Sequence, residues 1–250
     1  MHQLRPLSLG EILDGALAIF RSSFITLVSI SIICQGIPAV MNTYVTLAGG
    51  FLEQPIIGIV AAVLGAFGGL LSAGAIVHVI SEAYLGYEES VGDALRFALS
   101  RVWQLFIAGL VKYLLLFIGF IFFVVPGIII ACGYAVVVQV VVLEELRAPT
   151  DALGRSWQLT KGFKGKAFGL GLVVFVMIGI PSMIVGVFTV MVPAAQTILV
   201  AGAQLVQLVI YPVIACAFTL LYYDLRVRKE AFDLEHLSRQ LGLETERFEG

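Results

Sequence analysis

The stretch QLFIAGLVKYLLLFIGFIFFVVPGIIIACGYAVVVQVVVL, residues 104–143, carries one charged side chain, Lys112. Each half is about as long as a helix needs to cross a hydrocarbon core of about 30 Å at about 1.5 Å per residue. Pro126-Gly127 sits between the halves and predicts a tight turn. Lipid offers the backbone no hydrogen-bond partners, and runs this long exceed the strands of membrane barrels, so the halves read as helices. The stretch is a pair of membrane spans.

Working outward, further apolar blocks lie at 24–44, 56–84, 167–191 and 197–223; with 104–124 and 128–143 they make six spans. Composition agrees. Hydrophobic residues are 60% of the 250, and charged residues 13%, against about 25% charge in a soluble domain. The expected fold is all-α, a polytopic membrane helix bundle with about six transmembrane helices. Residues 1–225 form a single membrane domain and 226–250 a tail, in which 233–241 reads as a short helix ending at Gly242. Glu11 and Asp14 precede the first span, and no apolar leader core is evident, so the first span is expected to be retained. Cys34, Cys132 and Cys216 all fall inside spans and read as packing residues.

Orientation follows from the basic residues. Fourteen of the fifteen Lys and Arg lie on one side of this topology: Arg5 and Arg21, Arg96 and Arg101, Arg147, Arg155, Lys161, Lys164 and Lys166, then Arg226, Arg228, Lys229, Arg239 and Arg247. The opposite loops hold none. Positive residues stay inside, which predicts a plasma-membrane protein with both termini cytoplasmic.

The chain also repeats. Ser8-Leu-Gly-Glu-Ile-Leu13 matches Ser90-Val-Gly-Asp-Ala-Leu95, and Thr150-Asp-Ala-Leu153 echoes Gly92-Asp-Ala-Leu95. Each copy opens an amphipathic helix placed before two spans, giving repeats at about 7–86, 89–146 and 148–225. Ser8 with Glu11, and Ser90 with Asp93, have the spacing of helix N-caps. In the third copy Ser156 interrupts the apolar stripe. These helices are expected at the cytoplasmic surface, with Arg155, Lys161, Lys164 and Lys166 as a basic patch for anionic headgroups or a partner.

Glu144-Glu-Leu-Arg-Ala-Pro-Thr-Asp-Ala-Leu-Gly-Arg-Ser-Trp-Gln-Leu-Thr-Lys-Gly162 resembles the motif, roughly ALRRSWELTRG, of the membrane domain of bacterial glycerophosphoryl diester phosphodiesterases. The matching positions are Glu144, Ala152, Leu153, Arg155, Ser156, Trp157, Leu159, Thr160 and Gly162. The opening Leu7–Asp14 and closing Tyr222–Glu235 segments look similar to that family too, including its stand-alone members. The resemblance implies a membrane module and not the phosphodiesterase chemistry, which belongs to a separate soluble barrel with paired His and acidic ligands. Here His2, His78 and His236 are scattered over a terminus, a span and the tail.

Within the spans, Lys112 is a functional candidate, since a charge at membrane depth costs about 2.5–3.5 kcal/mol on insertion scales. Its expected partners are Glu82, Glu144 and Glu145 at the inner ends of neighbouring spans. His78 and Glu82 lie at (i, i+4), a spacing suited to a proton relay or a metal pair, although two ligands alone make a weak metal site. Gln35, Gln139, Gln204 and Gln207 are further polar span residues, Ala61, Gly65, Gly69 and Ala73 form a small-residue stripe, and Pro38, Pro181 and Pro212 are expected to bend their helices. No phosphate-binding glycine loop, G-x-S-x-G or H-E-x-x-H occurs. The expectation is therefore no catalytic residues, no cofactor, no metal and no nucleic acid. Its partners are the lipid bilayer, anionic headgroups and another membrane protein or second copy. The leading expected role is a non-enzymatic scaffold or accessory module for an envelope or lipid process. A transporter or channel using Lys112 is the alternative, and an intramembrane lipid enzyme using His78 and Glu82 the third.

Overall fold

A computed structural model describes residues 7–240, with the backbone alone at Leu85, Pro193 and 231–240. Helix α1 (Leu9–Ser22) starts on a reciprocal cap: the Ser8 hydroxyl accepts from Glu11 N–H at 3.3 Å, and the Glu11 carboxylate accepts from Ser8 N–H at 2.7 Å. One non-helical residue, Ser23, separates it from α2 (Phe24–Leu47). Helix α3 (Pro55–Leu85) begins with Pro55, whose missing N–H costs nothing there, and stops at Gly86 with φ +88°. Helix α4 (Val91–Phe122) is capped by Ser90, which accepts from Asp93 N–H at 3.1 Å.

Helices α5 (Val124–Gly133), α6 (Val137–Leu143), α7 (Asp151–Thr160) and α8 (Lys164–Val174) follow. A π-helical turn (Phe175–Gly179) then leads into α9 (Ile180–Met191), and a short 3-10 turn into α10 (Gln196–Gln240). No strand occurs among the described residues. Six segments are long and apolar enough to span: Phe24–Leu47, Pro55–Tyr84, Val91–Phe122, Val124–Leu143, Lys164–Met191 and Gln196–Glu230. The chain is an all-α, multi-pass integral membrane protein.

Several local expectations change. The second amphipathic segment is not a separate helix, because nothing interrupts α4 between Val91 and Phe122. Pro126-Gly127 is not the outer turn; the chain turns at Phe123 (φ −174°, ψ 156°), and Pro126 occupies the first turn of α5. Gly127 instead lets α4 approach, since a Cβ there would lie 2.5 Å from the Phe120 ring. The fourth span is two short helices broken at 134–136. The fifth carries the π-helical turn just before Pro181, where a missing N–H and a ring clash disturb the regular ladder. Residues 233–240 continue α10 rather than forming their own helix; 241 and 242 lie outside the described residues, as do His2, Arg5 and Arg247.

The core is concentrated at the basic end. Ile12 and Ala16 of α1, Ile76 and Ile80 of α3, Ala94 and Ala98 of α4, Val136, Val137 and Val140 to Val142 around α6, and Leu221 and Leu225 of α10 are buried there. Helix α1 packs on α10, and α10 on α2, so the first and last spans close the bundle. The small-residue stripe of α3 faces α2: a Cβ on Gly65 would meet Pro38, and one on Gly69 would meet Gln35. Toward the other end α9 has no buried residue, and Phe117, Ile121 and Phe122 of α4 are exposed to lipid. A bundle tight at one end and splayed at the other leaves space between its spans.

Candidate functional site

Lys112 lies ten residues before the end of α4 at Phe122. Ten residues rise about 15 Å, half of a core of about 30 Å, which puts its Cα near the middle of the bilayer. None of the expected carboxylates reaches it. No ion pair or hydrogen bond joins Lys112 to Glu82, Glu144 or Glu145 among the described residues.

Instead Lys112 sits on the shared wall of two chambers. The larger, about 830 Å³, lies among α2, α3, α4, α6 and α10, with Gln35, Asn42, Gln204 and Gln207 among its polar lining. The second, about 680 Å³, lies among α3, α4, α5, α6, α8, the π-helical turn and α10. Ala73, Lys112, Tyr113, Val138 and Tyr211 line both. Both volumes fall within the range of about 300–1,000 Å³ usual for ligand pockets. Among the described residues, Lys112 is the single charged one lining either chamber.

Gln139 is the second informative polar group. It is 4% exposed, it lines the second chamber, and its Oε1 has no hydrogen-bond partner. Buried amides are ordinarily satisfied, and an orphan costs about 1–3 kcal/mol. Ser72 Oγ and Gln104 Oε1 are also buried without partners, but neither lines a chamber. Gln35, by contrast, donates to Gly65 O at 3.1 Å and ties α2 to α3.

His78 and Glu82 do not form a relay. His78 stacks on Phe97 with centroids 4.0 Å apart and approaches Glu89, 3.6 Å away. Its partner comes from the loop before α4, so the (i, i+4) spacing on α3 is not used. No group of three His, Cys, Asp or Glu among the described residues could hold a metal.

The basic patch is largely consumed inside the protein. Arg155 Nε donates to both Glu144 oxygens at 3.1 and 2.9 Å, and its Nη2 reaches Glu230 at 3.2 Å. Tyr222 donates to the same Glu144 at 3.0 Å, and Arg226 bonds Glu230 at 2.6 Å. Lys164 lies 3.4 Å over the Trp157 ring. Lys166 donates to Asp224 at 2.8 Å and to Leu7 O. Lys161 is the one member of the four that is exposed.

Asp224, Tyr222, Arg226, Arg228 and Glu230 were not singled out from the sequence. Their signal was present as the (i, i+4) pairs Asp224/Arg228 and Arg226/Glu230 in the closing segment. Asp224 has no exposed side-chain surface and accepts from Leu7 N–H at 2.6 Å, Lys166 and Arg228. One carboxylate thus holds the start of α1, the start of α8 and α10 together.

The 144–162 motif forms a clamp on the broken fourth span. The break after Gly133 frees that residue's carbonyl; the Ser156 hydroxyl donates to it at 3.0 Å, and the Thr160 hydroxyl shares its proton between this carbonyl at 3.1 Å and Ser156 O at 2.9 Å. Trp157 covers Gly133 so closely that any Cβ there would overlap the ring. Ser156 therefore belongs in the buried face it seemed to interrupt. Gly162, with φ +89°, turns the chain from α7 toward α8.

No family model, curated protein or solved structure matches this chain. The assignment therefore rests on the chambers' own chemistry.

Proposed function

We propose that this integral membrane protein binds an anionic solute or lipid in the chambers around Lys112 and moves or presents it across the bilayer. The observation that carries the reading is the Lys112 ammonium near mid-membrane, on a wall shared by two chambers, with no carboxylate partner among the described residues. A charge so placed is expensive and is retained where it meets a ligand or pathway. Chambers between spans with broken helices are where membrane carriers place their sites. Here the broken fourth span and the π-helical fifth span both line the second chamber.

A role beside envelope or lipid metabolism, as the resemblance to the phosphodiesterase membrane domain implies, is part of this proposal. So are the plasma membrane, cytoplasmic termini and a non-enzymatic role. Scaffolding through the basic patch has less support, because three of its four residues are engaged internally. The enzyme alternative loses its dyad, because His78 engages Glu89 and Phe97.

The test is a thermal-unfolding screen of the detergent-purified protein against anionic solutes and lipids. A ligand that binds the folded state raises its stability by mass action. A compound that stabilises the wild type and not Lys112→Ala, followed by flux in proteoliposomes, is the expected result. A broad panel with no Lys112-dependent stabiliser would remove the proposal.

A further inference from the structure

We infer that the ligand is a monoanionic amphiphile, with a carboxylate or phosphodiester group at Lys112, a hydroxyl of the same head at Gln139 and its alkyl chain along the second chamber. This rests on the reading of the chambers as an anion site and names the class that fits them.

Charge balance sets the head group. Lys112 is alone among lining residues in carrying charge, so one negative charge neutralises the site. A dianion would leave a net negative charge in hydrocarbon, and a zwitterion would bring a second cation with no partner. An ammonium is a point donor, and neither chamber holds an Arg fork for bidentate capture of a phosphate monoester. The buried Gln139 amide supplies a neutral polar group in the same chamber, and its partnerless oxygen accepts from a hydroxyl carried beside the anionic group, as the glycerol of phosphatidylglycerol offers.

The walls and the opening set the tail. Beyond Lys112, Gln139 and the phenols of Tyr113 and Tyr211, the second chamber is walled by apolar side chains such as Leu116, Phe120, Leu172 and Phe175. Helix α4 makes no extended contact with α8, the π-helical turn or α10, so the chamber opens sideways between them. Tyr113 at 68% exposure and Phe175 at 53% stand on that lipid-facing rim. The basic end is shut by the packed core and the Asp224 and Glu144 ion pairs. A molecule already dissolved in the bilayer reaches Lys112 from the side.

The experiment uses the full chain in nanodiscs of phosphatidylcholine. Binding of a pyrene-labelled long-chain hydroxycarboxylate and of pyrene-labelled phosphatidylglycerol is followed by fluorescence, with acetate and inorganic phosphate as soluble competitors. Saturable binding of either amphiphile is expected, about ten- to hundredfold weaker in Lys112→Met, recovered in Lys112→Arg and unchanged in Arg96→Ala, whose side chain is exposed and lines neither chamber. The arm that binds tells carboxylate from phosphodiester. Lys112-dependent binding of acetate or phosphate without the amphiphiles would overturn the amphiphile and leave the anion site standing. No Lys112-dependent binding at all would overturn both. Should Lys112→Met fail to fold, Gln139→Leu is read with the same probes; several-fold weaker binding supports the inference and unchanged binding overturns it.

Discussion

Asp224 and Lys112 are both charges in a mostly apolar chain, and their surroundings give them opposite energetic signs. Asp224 is buried with two cations and a backbone N–H around it. Removing one member of a buried pair leaves the other charges uncompensated and costs about 3–5 kcal/mol. Asp224→Asn is therefore expected to lower the thermal unfolding midpoint in detergent markedly, and a midpoint equal to the wild type would show that the cluster holds nothing together. Lys112 has no such partner, and its insertion costs about 2.5–3.5 kcal/mol. Lys112→Met is expected to unfold at an equal or higher temperature than the wild type while losing ligand-induced stabilisation. A lower midpoint in that variant would assign Lys112 a structural role. Which of fifteen basic residues stood apart was legible from charge counting, because one lies in a span. That Lys112 would miss every glutamate was not, because pairing depends on how α4 is rotated against α3 and α6.

At the scale of elements, the fourth span shows how irregular backbone survives at membrane depth. Non-helical backbone is tolerated there where protein, and not lipid, covers it. Ser156 and Thr160 cover the freed Gly133 carbonyl together, so either hydroxyl can still serve when the other is removed. Ser156→Ala and Thr160→Val are each expected to destabilise mildly, and the double variant by about 1–3 kcal/mol, more than the sum of the two. Strict additivity in unfolding measurements would mean that the two bonds are independent. Gly133→Ala is expected to be worse than either single change, since the new methyl overlaps Trp157 and overpacking costs about 1–3 kcal/mol. The caps at Ser8 and Ser90 were readable from spacing alone, because a cap is made by residues three apart. The break at 134–136 was not, because no glycine–proline signal marks it and its partners lie twenty or more residues away.

At the scale of the molecule, basic residues gather at the end where the core is packed, and the spans bury less toward the other end. If that end is the inner face, an impermeant thiol reagent will label Lys161→Cys from the inside only and Glu53→Cys from the outside only, in a background lacking Cys34, Cys132 and Cys216. Both labels appearing on one face would break the six-span topology. The ion pairs that tie Leu7, α8 and α10 at the basic end also hold the start of the tail as a continuation of α10: Arg228 donates to Leu7 O, and Glu230 accepts from Arg155 of α7.

Sequence by itself determined the all-α membrane fold, the six spans, the capped helix starts and the singularity of Lys112. Those features depend on hydropathy, charge and residues within a turn or two of one another, which composition and spacing record directly. Only the tertiary structure decided where Lys112 points, that Gln139 shares its chamber, that His78 turns to Glu89, and that the basic third loop binds inward. Those outcomes depend on helix rotation and on contacts between residues up to 221 positions apart, and no local pattern encodes them.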